Sequence, residues 1–237
     1  MASETEKLVK LGLGLLLPGL GATVFEVLTT LRDIAQTVRG NRQKCAQVVE
    51  RVEFLYTELG KIQDAKVLEG NAVLPELAKV INAFVAFMRE HAAKHALPQF
   101  FARHEVDARI LAFHSDVDAL FRMLHMVHIA ASAEWRARFE ENQERDRQSL
   151  EAALHNTQLL LAESRGGRGL REALMAVQFA IQSSVGPNTR RFTPADVALL
   201  QHTLGEMAAQ ANVALEALPS WYLPSDAVTC EREAFAF

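Results

Sequence analysis

From Val24 onward the apolar residues return every three or four positions. Val24, Val27/Leu28, Leu31, Ile34/Ala35 and Val38 form one stripe, the signature of one helix face. Gly40 and Asn41 interrupt it, with Asn41 expected as the N-cap of the next helix. That helix carries Cys45, Val48/Val49, Val52, Leu55/Tyr56, Leu59 and Ile62. A third, after "EGN", carries Leu74, Leu77, Val80/Ile81, Phe84 and Phe87/Met88. A fourth, expected after a break at "ALPQFF", carries Val106, Ile110, Phe113, Val117, Leu120/Phe121, Leu124 and Val127. Near-heptad spacing of this kind lets helices pack almost parallel to one another. No run alternates with period two between turn residues, so the pattern predicts an all-α chain.

The segment 132–163 has a different pattern. Trp135 and Phe139 open a stripe that Leu150, Ala153, Thr157 and Leu160/Leu161 resume, while Asn142, Gln143 and Asp146 interrupt it. Its middle, "RFEENQERDRQSLE", is too charged for a core, and Glu134/Arg138 and Glu141/Arg145 stand at the spacing that supports an exposed helix. It reads as one long helix leaving the bundle, ended by the glycines of "ESRGGRG". A short helix over 170–182 follows. "TPAD" then starts a last helix, with Thr193 as N-cap, Pro194 at the first helical position and Asp196 in the first turn. That helix is expected to run to about Leu218, where Pro219 stops it and an extended tail begins.

Ahead of these stripes lies "KLVKLGLGLLLPGLGATVFEVL", uncharged over 11–25 and broken by glycines and Pro18. Lys7, Lys10, the leucines and "GLGA" imitate a secretory signal, but Glu4 and Glu6 dilute its basic start. As a membrane span it is short of about 20 apolar residues, because Glu26 closes it. The remaining reading is a bundle helix with a Gly-Pro break. Its far end continues into the Val24–Val38 stripe, which makes cleavage after "GLGA" unexpected. The part before Pro18, with Leu8, Leu11, Leu13, Leu15, Leu16 and Leu17, is too apolar to leave in water and is the candidate membrane-inserting segment.

Composition narrows the function classes. A chain of 237 residues with 49% hydrophobic content can bury a full core, and a net charge of −4 argues against a nucleic-acid partner. Two cysteines, Cys45 and Cys230, in unlike contexts indicate neither a disulfide framework nor a zinc knuckle. There is no Gly-rich phosphate loop, G-x-S-x-G elbow or H-E-x-x-H helix, so no catalytic residue, metal or cofactor is assigned. "EHAAKH" places His91 and His95 one turn apart, and His125 and His128 are spaced by three. Both pairs lack the remaining ligands of a metal site, and packing histidines explain them more simply. Basic residues cluster at the first helical junction: Arg32, Arg39, Arg42, Lys44 and Arg51, against Asp33 and Glu50. Such a patch can face anionic headgroups, at about 1 kcal/mol per basic residue, although an ordinary solvated face has the same composition.

Taken in order, these parts resemble a known family. "GNRQKCAQVVERVEFLYTELGKI" resembles the second helix of the N-terminal domain of mixed lineage kinase domain-like proteins, and "ARILAFHSDVDALFRMLHMVHIA" resembles its fourth. "AEWRARFEENQERDRQSLEAAL" looks like the charged brace helix that follows, and "WYLPSDAVTCEREAFAF" like the lead-in to a kinase-like domain. Each motif is degenerate; the order of parts carries the resemblance. It implies an antiparallel four-helix bundle over 1–131, related in shape to the Cbl-adaptor helical domain and HeLo domains, brace and accessory helices over 132–218, and the lead-in over 219–237. Trp135 and Phe139 would be the brace contacts. No Gly-rich loop is present from which a kinase lysine or aspartate could be carried over, so the chain is expected to be the front of a longer kinase or a stand-alone bundle. The amino end is more apolar and glycine-broken than in the animal members, which is similar to HeLo domains.

Two functional expectations follow from the resemblance. One is a cytoplasmic effector that, when released by its brace, self-associates and is recruited to anionic membranes. The other is a non-lytic adaptor that restrains a kinase-like domain in cis or in trans. An enzymatic reading would require histidines such as His91 and His95 to converge.

Overall fold

A computed structural model of the chain describes residues 21–38, 40–59, 73–92, 94–124, 129–164, 167–184, 192–215, 217–219 and 221–223. Among them are eight helices and no strand: α1 (Gly21–Thr37), α2 (Arg42–Leu59), α3 (Val73–Ala92), α4 (Ala96–Met123), α5 (Ile129–His155), α6 (Thr157–Glu163), α7 (Gly167–Ser183) and α8 (Pro194–Ala211). The all-α expectation holds. The helices distribute over two compact units, one of residues 1–94 and 102–148, the other of 95–101 and 149–237.

In the first unit the stripes read from the sequence close on a single apolar cluster. Leu31 and Ala35 come from α1 and Val38 from just after it, and Cys45, Val48, Val52 and Leu55 from α2. Leu77, Ile81, Phe84 and Met88 come from α3, and Val106, Ile110, Phe113 and Val117 from α4. Phe84 meets Phe113 edge to face, with ring centroids 5.0 Å apart, an arrangement that adds about 0.5–1.5 kcal/mol to what area burial contributes. Trp135 and Phe139 of α5 join this same cluster. Between α1 and α2 the chain turns at Gly40, whose φ of 67° a side chain would strain.

The second unit has its own cluster. The first turns of α4 supply Leu97, Phe100 and Phe101, the end of α5 supplies Leu150 and Leu154, and α6 to α8 supply Leu160, Leu174, Val177, Leu200, Leu204 and Met207. Phe192 stacks on Phe100 at 5.9 Å just before α8 begins.

Several boundaries differ from the expected ones, each for a local physical reason. "ALPQFF" is not a break but the start of α4. Pro98 sits in the first turn, where its missing N–H is no loss, and the Glu163 carboxylate accepts from the Ala96 N–H at 3.0 Å. The expected long helix over 132–163 divides at Asn156, whose side chain accepts from the Leu159 N–H and caps α6. Its middle is also not fully solvated, since Asp146 is buried. The last helix stops at Ala211, short of Pro219. Asn212 takes a left-handed φ of 53°, and the Val213 N–H returns to the Ala208 carbonyl, a closure that asparagine tolerates better than most residues. At its other end the expected capping holds: Thr193 and Asp196 form a reciprocal capping box with Pro194 at the first position.

Candidate functional site: a polar seam along the fifth helix

Within the first unit, α2, α4 and α5 meet along a row of polar side chains beside the apolar cluster. Each helix supplies them at helical spacing: Lys44, Gln47 and Arg51 on α2; Asp107, His114 and Asp118 on α4; Asn142, Gln143 and Asp146 on α5, which also brings the Trp135 and Phe139 rings against the row. A charged side chain is retained inside only if its hydrogen-bonding groups are met. The partners are present.

At one end of the seam Lys44 is buried and donates to Asp107, whose second oxygen accepts from Gln143 Nε2 at 2.7 Å. Asp146 reaches across from α5 and accepts from the backbone N–H groups of Gln43 and Lys44, each at 3.1 Å. These are orphan donors of the first turn of α2: Asn41 stands at the expected N-cap position, its carbonyl accepting from the Cys45 N–H at 3.0 Å, and the carboxylate that meets the free N–H groups comes from a residue 103 positions away. Burial pushes the Asp146 carboxyl up from its ordinary value, and the two backbone bonds and the Lys44 charge oppose that rise. In the middle, Gln47 Nε2 donates to the Trp135 carbonyl at 2.6 Å and Gln47 Oε1 accepts from Asn142 at 3.1 Å.

At the other end Arg51 is buried and donates to Asp118, to the His114 carbonyl at 3.0 Å and to His114 Nδ1 at 3.1 Å. The His114 ring, with no exposure to solvent, stacks on Trp135 at 4.4 Å and 13° and meets Phe139 edge on at 5.6 Å. The Arg51 guanidinium lies 4.6 Å from the Trp135 ring centre and that of Arg136 5.0 Å from it. Burial, then the Arg51 charge, hold His114 far below its ordinary value, at about 3, so the ring is neutral. Because guanidinium only donates, Nδ1 must accept and the proton sits on Nε2, which has no partner among the described residues. An unmet buried donor of this kind costs about 1–3 kcal/mol.

The structure sets the four described cations of the expected basic patch in different surroundings. Arg32 is exposed and forks onto Glu53, its Nη2 donating at 2.7 Å. Arg42 is exposed, while Lys44 and Arg51 point into the seam. Arg39 and the candidate inserting leucines Leu8, Leu11, Leu13, Leu15, Leu16 and Leu17 lie outside the described residues. No helix among the described residues is long and apolar enough to cross a membrane.

His91 and His95 do not share a helix face, because α3 ends at Ala92. His91 packs on Phe87 at 4.5 Å and burial lowers its pKa, while His95 is exposed beside Glu163. Among the described residues no three histidine, cysteine or acidic side chains gather where a metal ion would fit. His125 and His128 lie outside them. The Cys45 thiol is fully buried and pushed up to about 12, first by burial and then by Asp146, which leaves no thiolate for chemistry at neutral pH.

Sequence reasoning singled out Trp135 and Phe139 but missed His114, Asp107, Asp118 and Gln47. A signal was present: Lys44 and Arg51 stand seven apart beside the α2 stripe, and Asp107, His114 and Asp118 stand seven and four apart beside the α4 stripe. Opposite charges flanking two core stripes at heptad spacing can pair across them. No family model, curated protein or solved structure matches this chain.

Proposed function

We propose that this chain is a non-catalytic signalling domain of the mixed lineage kinase domain-like kind. In this reading α1 to α4 are an antiparallel four-helix bundle, and the helices from α5 onward are a brace. The domain restrains a kinase-like domain in cis or in trans. Once the brace lets go, it self-associates and is recruited from the cytoplasm to anionic membrane.

The observation that carries the reading is the seam. The α1–α4 cluster is apolar, and parting it exposes side chains worth about 1.5–3 kcal/mol each. The front of α5 is held by Trp135 and Phe139 together with side-chain hydrogen bonds that water can replace at about 0.5–1.5 kcal/mol apiece. Of the elements in the first unit, the front of α5, ahead of Asp146, is therefore the part built to detach while the rest stays folded. The test compares the parent with a Trp135→Ala/Phe139→Ala variant for sedimentation with, and leakage from, anionic and neutral vesicles. The expected result is salt-sensitive binding to anionic vesicles by the variant. No binding and no leakage by either form sinks the membrane output.

One observation favours the non-lytic adaptor as a second reading. Lys44 and Arg51 pair with Asp107 and Asp118 of α4, not with α5, so detaching α5 leaves both cations neutralised. The positive field offered to lipid then rests on fewer residues than the five of the patch. Recovery of a kinase-like domain with the parent but not with the double variant would support the adaptor.

A further inference from the structure

We propose that His114 is a proton-operated latch, in which uptake of one proton by its ring detaches the Trp135–Phe139 stretch of α5 from α2 and α4. The geometry admits one protonation state only. Arg51 Nη1 is aimed at Nδ1 and also holds the His114 carbonyl, so a proton on Nδ1 would set N–H against N–H and place a second cation against the guanidinium.

Among the described residues no neighbour can receive that proton's charge. From α2 the group facing the ring is Arg51. From α5 the ring is covered by Trp135, whose indole N–H only donates and has no partner among the described residues, and by Phe139. On α4 itself Asp118 is taken by Arg51 and has Arg136 at 3.9 Å as a further cation. The Trp135 face, which would otherwise welcome an imidazolium, already carries Arg51 and Arg136 within 5.0 Å of its centre. The protonated ring must therefore reach water, and Trp135 and Phe139 are the side chains stacked over it.

The direction of the pKa agrees. Closed, the ring titrates near 3; open, it returns towards 6.5. A group lowered in the closed form favours closure above its open-state value and loses that contribution as pH falls below it. Opening then becomes about ten-fold more favourable between pH 7.5 and 5.5, by proton linkage. His91, also lowered by burial, sits on α3 against Phe87 and provides the control for acid effects elsewhere in the unit.

The experiment uses the full chain with Trp221→Phe, so that Trp135 is the sole tryptophan. Acrylamide quenching is followed from pH 7.5 to 5 beside the far-ultraviolet helix signal. The expected result is quenching that rises as pH falls through 6.5 with the helix signal intact. That rise should disappear in His114→Asn, which keeps an acceptor for Arg51, and in His114→Phe, which keeps the ring, but survive in His91→Phe. A flat parent profile overturns the latch, as does loss of helix in step with quenching or a rise that persists in both His114 variants. The latch rests on the brace reading for its consequence alone, and vesicles of anionic lipid added at pH 5.5 separate the two. Trp135 exposure without vesicle binding overturns the membrane output and supports the latch, whereas vesicle binding with Trp135 still shielded overturns the latch.

Discussion

Replacing Asp146 tests whether α5 organises α2 as well as resting on it. In the parent both carboxylate oxygens accept a backbone N–H from the first turn of α2, at 3.1 Å each, at a position only 3% exposed. Bonds to an ionised acceptor contribute about 1.5–3 kcal/mol each. The cost of burying the charge offsets part of this, as the raised pKa of Asp146 indicates. Asp146→Ala should therefore cost about 2–4 kcal/mol, which at a urea slope of about 2 kcal/mol/M lowers the midpoint by about 1–2 M. Trp135 fluorescence in the Trp221→Phe protein reports this unit separately from the second. Asp146→Asn retains one acceptor and should cost less. Its pH dependence has a definite sign. A carboxyl raised in the folded state contributes stability that grows as pH falls through its folded value and is lost as pH rises through it. The gap between parent and Asn variant should thus widen on acidification from neutral pH towards 3.8. A midpoint shift in Asp146→Ala below about 0.3 M, no larger than that of the surface control Arg145→Ala, would refute the claim that this carboxylate caps α2.

The Lys44–Asp107 pair gives a second test: Lys44→Met alone strands a buried carboxylate and should cost about 3–5 kcal/mol, while Lys44→Met/Asp107→Leu should recover most of it in a urea double-mutant cycle. In the second unit, Asn212→Ala should lower the thermal midpoint through a cost of about 1–2 kcal/mol for a left-handed residue, and Asn212→Gly should be nearly neutral, read by calorimetry. Thr193→Ala should cost about 0.5–2 kcal/mol in the same assay through loss of the capping box, with Thr193→Asn close to the parent. With Cys230→Ser in place, Cys45 should ignore a thiol reagent at pH 8 until denaturant unfolds the chain; prompt reaction in the folded state would contradict its burial and its raised pKa.

Features set by neighbours three or four residues away can be read in one dimension. The stripes Leu31/Ala35/Val38, Cys45/Val48/Val52/Leu55, Leu77/Ile81/Phe84/Met88 and Ile110/Phe113/Val117 were legible, because a helix places such residues on one face whatever they later touch. So was the Thr193–Asp196 cap, which closes within four residues. The fate of the polar positions depends instead on which helices meet. Lys44, Arg51 and Asp146 look like solvent-facing charges in one dimension, since an unpaired charge belongs in water. They are buried because Asp107, Asp118 and the α2 backbone donors, 63 to 103 residues away, meet their hydrogen-bonding groups. His114 is the extreme case: its spacing from Asp107 and Asp118 places it beside the α4 stripe, but its neutral state arises only where Arg51, Trp135 and Phe139 converge from two other helices.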